Sequence, residues 1–221
     1  MDYLDGGSLD DYILKKGKLT IKEALKFGMQ ISSALSFMHS THMLHLDLKP
    51  SNVMLRNGTA ILIDFGLSKQ FDDNGNPESS TTIGPGTSGY APMEQANYHG
   101  DVNNGLPTTM DIYALGATMF KMLVGVKPPD ASDVFIDGFP PTELKGVSNE
   151  IVQLIRHAME PSYKNRISSA ETIKDELSNI MQSEDDSTTI DIEIIDDGQN
   201  DLNDNEVSKK KSHKKNNKKL W

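Results

Sequence analysis

Apolar residues recur three or four positions apart along several stretches of the chain. Ile21, Ala24, Leu25, Gly28, Ile31, Leu35 and Met38 fall on one helical face. Thr20 with Glu23 forms a capping-box pattern at the start of that helix. Ser8, with Asp11 three residues on and Gly17 beyond, predicts a shorter helix before it. Further helices are expected at 109–124, 149–160 and 169–182, with Pro161 ending one and Ser168 with Glu171 opening the next. The periodicity changes once, at residues 53–63. Two short β-prone runs flank Asn57-Gly58, a dipeptide that tolerates positive φ at both turn positions, so a hairpin is predicted. The expected fold class is mainly α with a small β-hairpin, and no internal repeat is visible.

Charge divides the chain. The total is −10, made up of −7 over residues 1–183, −10 over 184–206 and +7 over 207–221. The last two blocks are Asp-, Asn-, Ser- and Lys-rich and have almost no aromatic residues. They bury too little apolar surface to offset the entropy of ordering them. The folded unit is therefore expected at 1–183, followed by an acidic disordered linker at 184–206 and a basic tail at 207–221. Within the linker, Ile190, Ile192, Ile194 and Ile195 could pair briefly as a strand. The acidic total argues against general nucleic-acid binding, which needs basic surface. The chain has no cysteine, hence no disulfide, thiolate metal site or cysteine nucleophile. No run of 18 apolar residues is present, and the start Met1-Asp2-Tyr3 lacks the basic and apolar regions of a signal peptide. A cytoplasmic location is expected.

The candidate chemistry surrounds the hairpin. His45-Leu46-Asp47-Leu48-Lys49-Pro50-Ser51-Asn52 stands just before it, and Asp64-Phe65-Gly66 just after. The hairpin should bring Asp47, Lys49, Asn52 and Asp64 towards one small volume. Phosphoryl transfer needs such a set: an acid for the hydroxyl proton, a cation on the moving phosphate, and oxygen ligands for Mg²⁺. Order and spacing resemble the protein-kinase signature H-R-D-x-x-x-x-N followed by D-F-G. The resemblance extends along about 1–180. Residues 1–9 look like the hinge between kinase lobes. Gly86-Thr87-Ser88-Gly89-Tyr90-Ala91-Pro92-Met93-Glu94 looks like the end of an activation segment, with Pro92-Met93 in place of Ala-Pro. Asp111-Ile112-Tyr113-Ala114-Leu115-Gly116 resembles the helix whose aspartate braces the catalytic loop, and Arg166 stands where the family pairs an arginine with the glutamate at Glu94.

The resemblance is to eukaryotic-like (Hanks-type) serine/threonine kinases of the bacterial kind, and to their large, C-terminal lobe. It implies that Asp47 accepts the substrate proton, that Lys49 neutralises the transferred phosphate of ATP, and that Asn52 and Asp64 hold Mg²⁺. Thr87 would contact Asp47 and Lys49. His45, Phe65, Gly66, Thr87, Glu94, Asp111 and Arg166 would support the site. The implied partners are ATP and a protein substrate with a serine or threonine hydroxyl. Leu46 departs from the family's arginine, so the usual phosphate-ordering switch is not expected, although Ser79, Thr81 and Thr82 are acceptor side chains. No Gly-rich phosphate loop or V-A-I-K-like strand occurs ahead of the hinge, so the small N-terminal lobe is expected to be missing and the chain inactive alone. The alternative is a non-catalytic, kinase-derived interaction module. The seven lysines of 209–219, ending in Leu220-Trp221, suggest a juxtamembrane tail attracted to an anionic membrane surface.

Overall fold

A computed structural model of the chain describes residues 7–74, 78, 83–96, 98, 107–140 and 144–193. The chain divides into two units, Met1–Asp185 and Asp186–Trp221, of which the second is described only as helical backbone up to Glu193. The first unit holds helices α1 (Leu9–Lys16) and α2 (Ile21–Ser40), then strands β1 (Met43–Leu44), β2 (Val53–Arg56), β3 (Thr59–Leu62) and β4 (Lys69–Gln70). Helices α3 (Met93–Ala96), α4 (Thr109–Val124), α5 (Ala131–Asp137) and α6 (Asn149–Ala158) follow, and α7 (Ala170–Glu193) begins in this unit and ends beyond Asp185.

Helix α4 is the axis of the core. Every residue from Met110 to Phe120 is buried, as are Met122 and Leu123. A helix that is apolar on all sides needs neighbours on all sides. α2 and α6 both pack on it, and Leu25, Ile31 and Leu35 of α2 and Ile151, Leu154 and Ile155 of α6 lie in the same buried cluster. Each fully buried Leu, Ile or Phe contributes about 1.5–3 kcal/mol, so this layer fixes the frame on which the loops stand. The predicted capping box at Thr20 forms, and Ser8 with Asp11 makes a second one. Ser8 Oγ accepts from Asp11 N–H at 3.1 Å, and Thr20 Oγ1 from Glu23 N–H at 3.3 Å, while each acid reaches back to the cap's own N–H.

The predicted hairpin forms about Asn57-Gly58, with Val53 opposite Leu62 and Arg56 opposite Thr59. Asn57 and Gly58 take φ of 51° and 72°, the two positive values a tight turn of this kind demands. A second antiparallel pair, β1 with β4, was not expected, because two-residue strands leave no alternating pattern to read.

Three helix ends differ from expectation. α6 stops at Ala158 instead of continuing to 160. α7 is capped by Ser169, whose Oγ accepts from Thr172 N–H at 3.1 Å, and not by Ser168 with Glu171. Glu171 instead accepts from Ser36 and Lys174. α7 also runs to Glu193, past 182 and into the acidic block, so Ile190 and Ile192 lie in helix and not in a strand. The apolar residues there, Ile190 with Ile194 and Ile192 with Ile195, also fall at helical spacing. Helices α3 and α5 are too short to show a full period and were not anticipated. No helix among the described residues is long and apolar enough to cross a membrane. Residues 1–6 of the hinge-like run, Ser79, Thr81, Thr82, Ile194, Ile195 and the lysine-rich tail lie outside the described residues.

Candidate active site

The loop between β1 and β2 carries the candidate chemistry, and Asp111 of α4 shapes it. Its carboxylate is fully buried and accepts three donors. His45 N–H reaches Oδ2 at 2.9 Å, Leu46 N–H reaches Oδ1 at 2.8 Å, and His39 Nε2 donates to Oδ2 at 2.9 Å. Burial opposes ionisation, yet the His39 hydrogen bond and charge, with the two backbone donors, hold the carboxyl below the usual carboxylate range. Two consecutive N–H groups aimed at one carboxylate require a sharp bend, and Leu46 adopts φ of 64° there. A non-glycine residue in this region costs on the order of 1–3 kcal/mol and persists only where its surroundings over-determine it. The Leu46 side chain is buried beside Leu44, Ile83 and Met110.

His45 is buried and set in one tautomer. Its Nε2 stands 3.2 Å from the Ile63 carbonyl, which can only accept, and its Nδ1 accepts from Asp47 N–H at 3.4 Å. The ring also meets that of Phe65 at 5.5 Å. The imidazole thereby ties the loop to the exit of the hairpin.

Beyond this bend a side-chain cluster assembles. Lys49 Nζ donates to Asp47 Oδ2 at 2.8 Å and to Thr87 Oγ1 at 2.8 Å. Thr87 Oγ1 donates to Asp47 Oδ1 at 2.6 Å. Asn52 Nδ2 donates to the Asp47 carbonyl at 2.8 Å and to Oδ2 at 3.0 Å. Asp47 thus receives three side-chain donors, and a carboxylate has about four acceptor positions. One on Oδ1 is left for a further hydroxyl. Lys49 is part-buried and committed to two oxygens, which is not how a solvated loop lysine behaves.

Asp64 stands apart from that network. Ile63 N–H bonds the Asn52 carbonyl at 3.0 Å, so the backbone brings Asp64 to the loop. Its side chain is exposed, with φ of 62°, and accepts from Gly66 N–H at 3.3 Å. Phe65 and Gly66 are exposed with it. The four residues expected in one volume are therefore three in a hydrogen-bonded cluster with Thr87, and one open carboxylate beside it. Among the described residues no group of three or more His, Cys, Asp or Glu is placed to hold a metal ion. The donor chemistry still suits Mg²⁺, which is commonly held by one or two protein oxygens together with phosphate oxygens and water. Asp64 offers an exposed carboxylate, and Asn52, its nitrogen spent on Asp47, offers a carbonyl.

Behind the cluster, segment 83–95 is anchored by an ion pair. Arg166 Nη1 donates to Glu94 Oε1 at 2.7 Å and to the Thr109 carbonyl at 2.7 Å, and its Nε donates to the Glu160 carbonyl at 2.9 Å. Its guanidinium also lies 5.2 Å from the centre of the Tyr113 ring. Sequence reasoning missed two residues here. His39, the partner of Asp111, sits at the end of an amphipathic helix, where a histidine carries no signal of its own. Gln95 is buried, and its Nε2 donates to the Leu46 carbonyl at 2.6 Å. The only available hint was its position directly after Glu94.

The protein kinase domain family matches residues 1–178. The chain is similar to the serine/threonine-protein kinase PknB of Mycobacterium tuberculosis, 29% identical over 195 residues that cover 83% of this chain and 30% of the relative. A probable serine/threonine-protein kinase of Clostridium acetobutylicum is 29% identical over 195 residues, covering 83% of this chain and 28% of that protein. Another from Clostridium perfringens is 27% identical over 192 residues, covering 82% and 27%. The chain thus spans less than a third of the length of these curated relatives.

Proposed function

The chain belongs to the protein kinase domain family, and on that premise we propose that the protein carrying it transfers the γ-phosphate of ATP to serine or threonine hydroxyls of protein substrates. The cluster of Asp47, Lys49, Asn52 and Thr87 is the observation that carries this reading. The acceptor hydroxyl hydrogen-bonds the remaining position on Asp47 Oδ1 and passes its proton there as the new O–P bond forms. The bond between the γ-phosphorus and its bridging oxygen breaks, and ADP leaves with that oxygen. Lys49, already between Asp47 and Thr87, neutralises charge on the moving phosphoryl group. Asn52 and Asp64 supply oxygen ligands for Mg²⁺, which when bound neutralises charge on the nucleotide phosphates.

Residues 1–221 alone should turn ATP over negligibly. Asp64, Phe65 and Gly66 are exposed to water, and phosphoryl transfer depends on a site closed against it. The exposed Phe65 also favours the reading that another part of the protein covers this face, and a non-catalytic interaction module remains the competing interpretation. The test is to incubate the longest natural form with Mg-ATP and peptides that differ only in the acceptor residue. Phosphate should appear on serine and threonine peptides and not on tyrosine. Phosphotyrosine alone, or no transfer to any peptide, would overturn the assignment.

A further inference from the structure

We propose that Gln95 is a positioning residue for phosphoryl transfer, a neutral clasp that joins the catalytic loop to segment 83–88. This rests on the proposed kinase function for its kinetic consequence, though not for its geometry. Gln95 is 2% exposed, on the four-residue helix α3 beside the Glu94–Arg166 ion pair. Its side-chain nitrogen donates to the Leu46 carbonyl at 2.6 Å and lies 3.4 Å from the Gly84 carbonyl. Both partners can only accept, so the side-chain NH₂ group must face them. The Leu46 backbone is then held on both sides of its Cα, its N–H by Asp111 and its carbonyl by Gln95. That is the over-determination its positive φ requires, one residue before Asp47.

The opposite side of the clasp is equally close. Gly86 has φ of 70°, and a Cβ there would lie 2.6 Å from Ala91 Cβ and 2.7 Å from Gln95 Nε2. The backbone just ahead of Thr87 is therefore seated directly on the Gln95 amide. Leu46 offers no charge with which to hold that segment, and its side chain lies in an apolar cluster with Ile83. Thr87 and Asp47 meet at 2.6 Å across this junction. Removing the amide should loosen both strands of the junction and widen the distribution of Thr87–Asp47 separations. It should leave the oxygens offered to Mg²⁺ by Asn52 and Asp64 in place.

Three forms test the clasp: wild type, Gln95→Met, which keeps volume without a donor, and Gln95→Glu. Amide hydrogen exchange is read in the 221-residue chain, and kinetics in the longest natural form. Gln95→Met should speed exchange at residues 46–47 and 86–88 and lower kcat by about tenfold, as expected when the proton acceptor is held less firmly against the acceptor hydroxyl. The KM for ATP should change by less than about twofold, because only positioning is lost. In Gln95→Glu the carboxyl faces two carbonyl oxygens in a buried site, which favours its protonated, donating form. Its kcat relative to wild type should rise as pH falls from about 8 to about 6, while the Gln95→Met ratio stays flat. A packing role alone would not produce that difference. Unchanged exchange and kcat in Gln95→Met, or a Gln95→Glu ratio that does not move with pH, overturns the clasp. If wild type transfers no phosphate, the functional reading fails separately, and unchanged exchange in Gln95→Met still overturns the clasp.

Discussion

Arg166 and Glu94 illustrate what a single buried pair can do. The arginine side chain is fully buried, and backbone carbonyls take the donors that the carboxylate leaves over. Removing one member strands the other in a poorly solvated site, which typically costs about 3–5 kcal/mol. Arg166→Ala should therefore lower the thermal midpoint of the 221-residue chain by roughly 10 °C. A midpoint unchanged within about 1 °C would mean that the pair contributes nothing measurable. This pair was legible beforehand because both members belong to separate recognisable motifs. Gln95 and His39 were not legible, since their partners are a backbone carbonyl and a distant aspartate that only the folded chain brings near. Asp64 lies between these cases: its position after the hairpin was readable, but its exposure was not.

At the scale of elements, the signals that worked were local. Ser8 and Thr20 cap helices with atoms three residues away, and Asn57-Gly58 turns a hairpin without help from the rest of the chain. The β1–β4 pair depends on segments distant in sequence, whereas the Ser169 cap and the extension of α7 are local choices between neighbouring signals of similar strength. Glu23 joins both classes. It closes the α2 capping box and also receives Lys16 Nζ at 2.5 Å and Tyr12 Oη at 2.7 Å from α1. Partial burial works against its ionised form, but these donors with Thr20 lower its pKa from 4.5 to about 2. A carboxyl depressed on folding stabilises fully above its unfolded pKa and loses that contribution as pH falls through the folded one. Wild type should melt above Glu23→Gln at neutral pH by a few degrees, since screening at this part-exposed site keeps the effect near about 1 kcal/mol. The gap should close between pH 4.5 and about 2. Thermal melts across that range check it, and a gap independent of pH would show that the α1–α2 link does not depend on this charge.

At the scale of the whole chain, a helical frame around α4 presents one loop, and that loop gathers its donors on Asp47. The order of motifs made the family resemblance readable, because each motif fixes the spacing of the next. The described residues place Asp47 where one carboxylate position stays open to a hydroxyl, and the account depends on that carboxylate more than on any other group. The most direct measurement is therefore kcat for a serine peptide with Asp47→Asn in the longest natural form, read beside its thermal midpoint. The account predicts a loss of roughly 10²–10⁴-fold in kcat with the midpoint changed by less than about 3 °C, or about 1 kcal/mol. Near-wild-type turnover by a folded Asp47→Asn protein would contradict it.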